Sequence, residues 1–271
     1  MLRSIVIAFV AAGLGWLALV AMLTIAQRSL LYHPLSIDRS LADRYREAAV
    51  AIDAEGATLK GWFLAHADPG APLTIFFGGN GDEASRYLPA FATLSCCSVL
   101  AVNYRGYGES TGAPTEGDLR ADALVVYDAA QKLRLAPGPT VLFGRSLGTG
   151  IAISTAAQRD VDAVVLVSPY DSIVAVAREA FPWVPVSWLL KDRFECLELA
   201  RRIRAPAFVV VAQRDTVVRQ LRSVSLASAL GGRVETVIVP RADHNSLLAD
   251  EDMWHRIDGW IAGIARRASR A

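Results

Sequence analysis

The stretch FGRSLG, residues 143–148, follows the apolar run 140–143 and precedes the helix-like run 147–158. A serine between two glycines in a strand-turn-helix context forms the G-x-S-x-G pattern. The glycines spare the sharp turn a side-chain clash and leave the serine hydroxyl exposed. The pattern predicts that Ser146 is the nucleophile of an acyl-transfer chemistry.

The rest of the chain supplies a sheet around this turn. Short, β-branched apolar runs occupy residues 73–77, 98–102, 140–143, 163–167, 207–212 and 234–239. Continuous apolar strands are typical of a parallel sheet that helices cover on both faces. Segments with helical spacing lie between them, at residues 119–133 and 254–264, while residues 48–52 and 58–65 predict an antiparallel hairpin that opens the sheet. The alternation predicts an α/β fold with a mostly parallel, doubly wound sheet flanked by helices.

Two segments interrupt this organisation. Ser4 to Ala26 contains 23 residues without a charge, and about 20 apolar residues suffice to cross a bilayer as a helix. We therefore expect residues 1–27 to form a single transmembrane anchor; a signal peptide cleaved near Ala26 is the alternative. Charged residues flank both ends, so the side of the membrane that carries the main domain stays open.

The second segment, residues 170–203, separates two predicted strands and contains Phe181-Pro182-Trp183-Val184-Pro185 and Trp188-Leu189-Leu190. It predicts a small cap. Three roles for these side chains are open: they cover an acyl pocket, insert into the membrane interface, or pack on the core. We expect part of the cap to line the entrance for an apolar acyl group.

Composition excludes other classes of function. With 271 residues the chain has room for one large core plus an appendage. The net charge is +1 and no basic stripe is present, which argues against nucleic-acid binding and favours small-molecule or lipidic substrates. Three cysteines suit neither a disulfide framework nor a metal site, and the sequence requires no cofactor. Nothing in it indicates an oligomeric state.

A serine nucleophile needs a base and an acid that orients the base. His244 follows the last apolar run in a polar turn, at the strand end where open α/β sheets bind ligands. Asp215 likewise lies just after an apolar run, residues 207–212, at the carboxyl end of the strand that the run predicts. We therefore predict the triad Ser146, Asp215 and His244. Asp171, one strand earlier, is the alternative acid, whereas Asp243 is poorly placed because it adjoins the histidine.

An oxyanion formed on the substrate needs two prearranged N–H donors. The backbone amide of Leu147, directly after the nucleophile, is the first candidate. The second is Asn80, in the glycine-rich segment 78–81 after an apolar run, with Gly81 as the alternative. The glycine-rich loop 104–110 lacks phosphate-loop spacing and is interpreted as structural.

Together these motifs resemble the α/β-hydrolase superfamily, and more narrowly its membrane-anchored serine hydrolases with one N-terminal span and a small cap. The matching segments extend from about residue 28 to the end of the chain and comprise residues 78–81, 103–110, 144–148, 168–170, 182–185, 192–194, 214–218 and 243–245. The segment Gly-Gly-Asn departs from the family's usual His-Gly-Asn, Asn103 replaces a common aspartate, and Arg219 replaces a common proline. The resemblance implies an α/β-hydrolase domain over residues 28–271.

The resemblance and the motifs imply a membrane-anchored serine hydrolase that cleaves carboxylic esters or thioesters through an acyl-enzyme on Ser146. An aminopeptidase-like amide hydrolase or an acyltransferase would use the same triad. A catalytically inactive scaffold that binds a partner is the alternative outside enzymes.

Overall fold

The computed structural model describes residues 1–268, so the last three residues of the domain expected over 28–271 lie outside the described part. Within these residues the chain forms one eight-stranded sheet. Its strands are β1 (Ala49–Ala54), β2 (Ala57–Leu64), β3 (Leu73–Phe77), β4 (Ser98–Val102), β5 (Thr140–Arg145), β6 (Ala163–Val167), β7 (Ala207–Ala212) and β8 (Val234–Val239). The α-helices are α1 (Leu2–Leu31), α2 (Arg39–Arg44), α3 (Leu88–Phe91), α4 (Glu116–Leu133), α5 (Leu147–Ala156), α6 (Ile173–Ala180), α7 (Val186–Leu189), α8 (Leu197–Ala200), α9 (Gln220–Ala229) and α10 (Glu251–Ala268).

The sheet has the strand order β1-β2-β4-β3-β5-β6-β7-β8. β1 and β2 form the expected antiparallel hairpin, and β2 also pairs antiparallel with β4. All pairs from β4 to β8 are parallel. The carboxyl ends of β5, β7 and β8 therefore share one edge of the sheet, which is the edge where the predicted site residues follow their strands.

Helices cover both faces of the sheet. On one face α4 and α5 contribute buried residues such as Leu119, Val126 and Ile151. On the other, α10 packs Trp254 and Ile257 against the sheet. The helical spacing seen in the sequence reflects these buried stripes.

β8 differs from the expectation that each apolar run is buried on both faces. It pairs only with β7 at the edge of the sheet, and Glu235, Thr236 and Ile238 are exposed. That expectation was wrong for β8 because an edge strand has a neighbour on one side only.

The segment 170–203, which is predicted to be a cap and is called the cap below, contains α6, α7 and α8 with connecting loops. The N-terminal helix α1 is continuous from Leu2 to Leu31. It is long and apolar enough to cross a membrane, as the core helix of a soluble protein or a signal sequence also can be.

Candidate active site

Ser146 lies at the tight junction between β5 and α5. Its φ of 48° is in the left-handed region, a conformation that costs energy for a non-glycine residue. Its backbone N–H donates to the carbonyl of Val167, 2.8 Å away, which ties the turn to β6. Position 148 has no room for a residue other than glycine, because a Cβ there would lie 1.9 Å from the carbonyl oxygen of Phe77. The two glycines thus let α5 start against the end of β3 and hold the serine above the sheet.

His244 reaches Ser146 from the loop after β8. Its Nε2 lies 2.9 Å from the serine Oγ, and both side chains are buried. The other ring nitrogen, Nδ1, lies 2.7 Å from Oδ2 of Asp215. Since an ionised carboxylate only accepts, Nδ1 carries the proton and Nε2 is free to accept one from the serine.

Asp215 is fixed in this orientation by other donors. Its Oδ1 accepts the backbone N–H groups of Val217 and Val218 at 2.9 and 2.8 Å, and its Oδ2 also accepts the Ser168 hydroxyl at 3.0 Å. Burial raises the pKa of Asp215, but the hydrogen bond and charge of His244 and the two backbone amides outweigh it, so the pKa lies below its usual value. The carboxylate is therefore ionised at neutral pH.

The alternative acids are engaged elsewhere. Asp171 forms an ion pair with Arg222, with 2.7 Å between Oδ2 and Nη1, and it accepts the N–H of Ser172. Asp243 accepts the backbone N–H groups of Asn245 and Ser246 and so closes its own turn. Neither has a hydrogen bond to the His244 ring among the described residues.

The two residues expected to supply the oxyanion donors, Leu147 and Asn80, line the same cavity as Ser146. Leu147 opens α5, where the amides of the first turn have no acceptor within the helix. Asn80 is held by its other groups: its carbonyl accepts the Tyr107 hydroxyl at 2.6 Å, and its side-chain amide donates to the Leu31 carbonyl at 3.0 Å. Gly81 is not part of the cavity lining.

Arg145 is a further member of the site that the sequence reasoning missed. Its buried guanidinium donates from Nη1 to both carboxylate oxygens of Asp82, and from Nη2 to the His244 carbonyl at 3.2 Å and the Asn245 side chain at 3.1 Å. Asp82 in turn accepts the N–H of Gly79 at 2.5 Å. Arg145 thus joins the histidine loop to the Asn80 loop; an arginine at the end of an otherwise apolar strand was the available signal.

The cavity in front of Ser146 has a volume of about 230 Å³ and is lined mostly by apolar side chains. The cap contributes Ile173, Val176, Ala177, Ala180, Phe181, Val184, Val186, Leu189 and Leu190. A further part of the lining was not expected from the sequence, because it comes from α1: residues Leu23, Thr24, Gln27, Leu30 and Leu31. A hydrocarbon chain fits this lining better than a polar group does.

Comparisons with known proteins agree with this architecture. A family model described as alpha/beta hydrolase fold matches residues 76–201. An uncharacterised protein of Mycobacterium tuberculosis is 32% identical over 248 residues, which cover 89% of this chain and 86% of that protein. The alpha/beta hydrolase domain-containing protein aho-3 of Caenorhabditis elegans is 32% identical over 66% of this chain and 54% of its own length. Among solved structures, an esterase of Pyrococcus furiosus has a TM-score of 0.63 at 19% identity, over 85% of this chain and 97% of the esterase, a likeness of fold.

Proposed function

The chain belongs to the α/β-hydrolase family, and from this membership and its site we propose that it is a membrane-anchored serine hydrolase that cleaves carboxylic esters or thioesters. The observation that carries the proposal is the contact of His244 with both Ser146 and Asp215, at 2.9 and 2.7 Å. A nucleophile, a base and an orienting acid within hydrogen-bond distance are what acyl transfer to a hydroxyl requires.

In the proposed reaction, His244 Nε2 takes the hydroxyl proton as Ser146 Oγ forms a bond to the substrate's acyl carbon. The negative charge that develops on the acyl oxygen is stabilised by the amides of Leu147 and Asn80. The tetrahedral intermediate collapses, the bond to the leaving oxygen or sulfur breaks, and the imidazolium returns its proton to the leaving alcohol or thiol. An acyl-enzyme remains on the serine.

Deacylation repeats these steps with water. His244 removes a proton from water as its oxygen attacks the acyl carbon, and the imidazolium then protonates the departing Ser146 Oγ. The products are the free acid and the original enzyme. Asp215 holds the imidazole tautomer and stabilises its charged form in both halves of the reaction.

Membrane anchoring through α1 is part of the proposal. The helix comprises 30 residues, about 45 Å at 1.5 Å per residue, which exceeds the roughly 30 Å of a hydrocarbon core. Of α1, which lies wholly within the described residues, only Val20 is buried. An apolar helix so exposed is best accommodated in a bilayer.

Fluorophosphonate labelling of the purified protein tests the hydrolase proposal. We expect the wild type to be labelled and to hydrolyse p-nitrophenyl esters faster than an aminoacyl p-nitroanilide, and Ser146→Ala to lose both properties. Ser187→Ala, a matched serine of the cap outside the cavity lining, serves as the control and should retain both. An unlabelled wild type would point to an inactive scaffold, and preference for the amide would point to a peptidase.

A further inference from the structure

On the premise of the proposed hydrolase function, we propose that α1 is a wall of the acyl site and that this site opens sideways into the bilayer. The substrate is then a long-chain acyl ester or thioester whose chain enters from the membrane between α1 and the cap.

The first support is the face of α1 that packs on the cap. Val20 is buried, Leu23, Thr24 and Gln27 are half-buried, and Leu31 completes a stripe that repeats every three or four residues. This spacing places the stripe on one side of the helix. A helix that served only as a tether would have no such face against its own domain.

Specific hydrogen bonds fix the same face. The Gln27 side chain donates to the Leu189 carbonyl at 3.3 Å and accepts the N–H of Lys191 at 2.7 Å. At the next residue of the helix, Arg28 Nε lies 2.9 Å from Oδ2 of the buried Asp192. These hydrogen bonds to backbone and side-chain groups of the cap give α1 a defined position, which simple partition into lipid does not require.

The cap also meets α1 within its uncharged stretch. The indole N–H of Trp16 donates to the carbonyl of Trp183 at 3.2 Å. Trp16 precedes Arg28 by 12 residues, which corresponds to about 18 Å along the helix. When the uncharged stretch lies in the hydrocarbon layer, the tip of the cap at Trp183 lies at membrane depth as well.

Exposed apolar side chains continue from the helix onto the cap. Ile25 is 86% exposed on the outer side of α1, and Trp188 is 89% exposed on the cap, with Trp183 also exposed. Large exposed apolar groups next to a bilayer-spanning helix fit a lipid surface, and tryptophan is favoured near the membrane interface. The bilayer is therefore the occupant of this surface, and the mouth of the cavity lies between two elements that contact lipid.

The end of α1 is coupled to the reacting groups too. Asn80, the proposed oxyanion donor, gives its side-chain N–H to the Leu31 carbonyl, and its own carbonyl accepts the N–H of His33 at 2.9 Å. The helix α1 thus lines the cavity and also positions the loop that contains Asn80. Cleavage near Ala26 would remove Leu23 and Thr24 from the wall, so the proposal requires an uncleaved helix.

Two neighbouring residues of α1 give a matched test in the full-length protein reconstituted in phospholipid nanodiscs. Leu23 lines the cavity, whereas Met22 is exposed on the lipid side. We expect Leu23→Trp to lower kcat/KM for p-nitrophenyl laurate at least tenfold more than it lowers kcat/KM for the acetate ester, while Met22→Trp leaves both within twofold. Equal laurate activity of the two variants would overturn the proposal.

A second readout does not depend on catalysis. In the Ser146→Ala background, a photoactivatable diazirine palmitate in the nanodisc should crosslink to residues of α1 and the cap, and adding Leu23→Trp should remove that crosslink while Met22→Trp keeps it. Absence of the crosslink from Ser146→Ala would refute the membrane entry even if the wild type is an active esterase. Conversely, a crosslink in Ser146→Ala together with no fluorophosphonate labelling of the wild type would refute the proposed hydrolase activity. The proposed acyl-binding site open to the membrane would then still stand.

The source of the chain is distinguished by two substrates in the same nanodiscs. A long-chain monoacylglycerol represents a lipid source, and a thioacylated peptide represents a protein source. Selective loss of hydrolysis in Leu23→Trp for either one supports the proposal and identifies the carrier. Unchanged hydrolysis of both contradicts it.

Discussion

Replacement of Asp215 by asparagine is the sharpest test of the triad, because the surrounding donors dictate how the new side chain must point. Oδ1 accepts two backbone N–H groups, from Val217 and Val218, at 2.9 and 2.8 Å. An asparagine can satisfy them only with its carbonyl oxygen. Its NH₂ group then occupies the position of Oδ2, 2.7 Å from His244 Nδ1.

The consequence is the wrong imidazole tautomer. An NH₂ group facing Nδ1 makes that nitrogen an acceptor, so the single proton of the neutral ring moves to Nε2. Nε2, 2.9 Å from the Ser146 hydroxyl, then cannot take the serine proton. The equivalent change in serine proteases lowers kcat about 10⁴-fold by this route, which corresponds to about 5 kcal/mol of transition-state stabilisation. We expect a loss of the same order in kcat with a small change in KM.

The assay is steady-state hydrolysis of p-nitrophenyl butyrate with two matched controls. Asp171→Asn weakens the ion pair with Arg222, and Asp243→Asn changes the turn before His244, so each should lower kcat less than tenfold. Thermal unfolding of all three variants separates loss of fold from loss of chemistry. The reasoning is refuted if Asp215→Asn keeps more than a tenth of the wild-type kcat, or if Asp171→Asn is the variant that loses activity.

Three further predictions concern the frame of the site. Arg145→Met leaves the carboxylate of Asp82 without its buried partner, and we expect urea unfolding to show a loss of about 3–5 kcal/mol; a loss below 1 kcal/mol would contradict this. Gly148→Ala should prevent accumulation of folded protein, since its Cβ would meet the Phe77 carbonyl at 1.9 Å; a normal unfolding midpoint would contradict the packing. Burial raises the pKa of Tyr170 well above its usual value, so its neutral form contributes stability that is complete below about pH 10 and is lost as pH rises through the folded pKa. Tyr170→Phe should therefore flatten the alkaline decrease of stability by up to about 1.4 kcal/mol per pH unit, and an unchanged slope would show that this tyrosine does not contribute.

Much of the fold could be predicted because it depends on local patterns. The apolar runs coincide with β3, β4, β6, β7 and β8, and strands of a parallel sheet that helices cover on both faces are mostly apolar. The hairpin of β1 and β2 was also predicted. Only the burial of β8 was wrong, because which strand becomes the edge depends on the order of the whole sheet.

The approach of Ser146, Asp215 and His244 could be expected because all three follow strands whose carboxyl ends share one edge of the sheet. Their assignment as catalytic residues stays a prediction. Arg145 could not be given its partners from sequence, since Asp82 and Asn245 lie 63 and 100 residues away along the chain.

The sequence by itself determined the elements, the serine turn and the presence of an apolar N-terminal helix, because each is written in the spacing of neighbouring residues. The tertiary structure alone decided that α1 lines the cavity and holds Asn80 through Leu31. The hydropathy of the sequence indicates that α1 is apolar and excluded from water. It does not indicate whether lipid or the protein's own cap covers a given face of the helix. That choice depends on contacts such as Gln27 with Leu189, which join residues 162 positions apart.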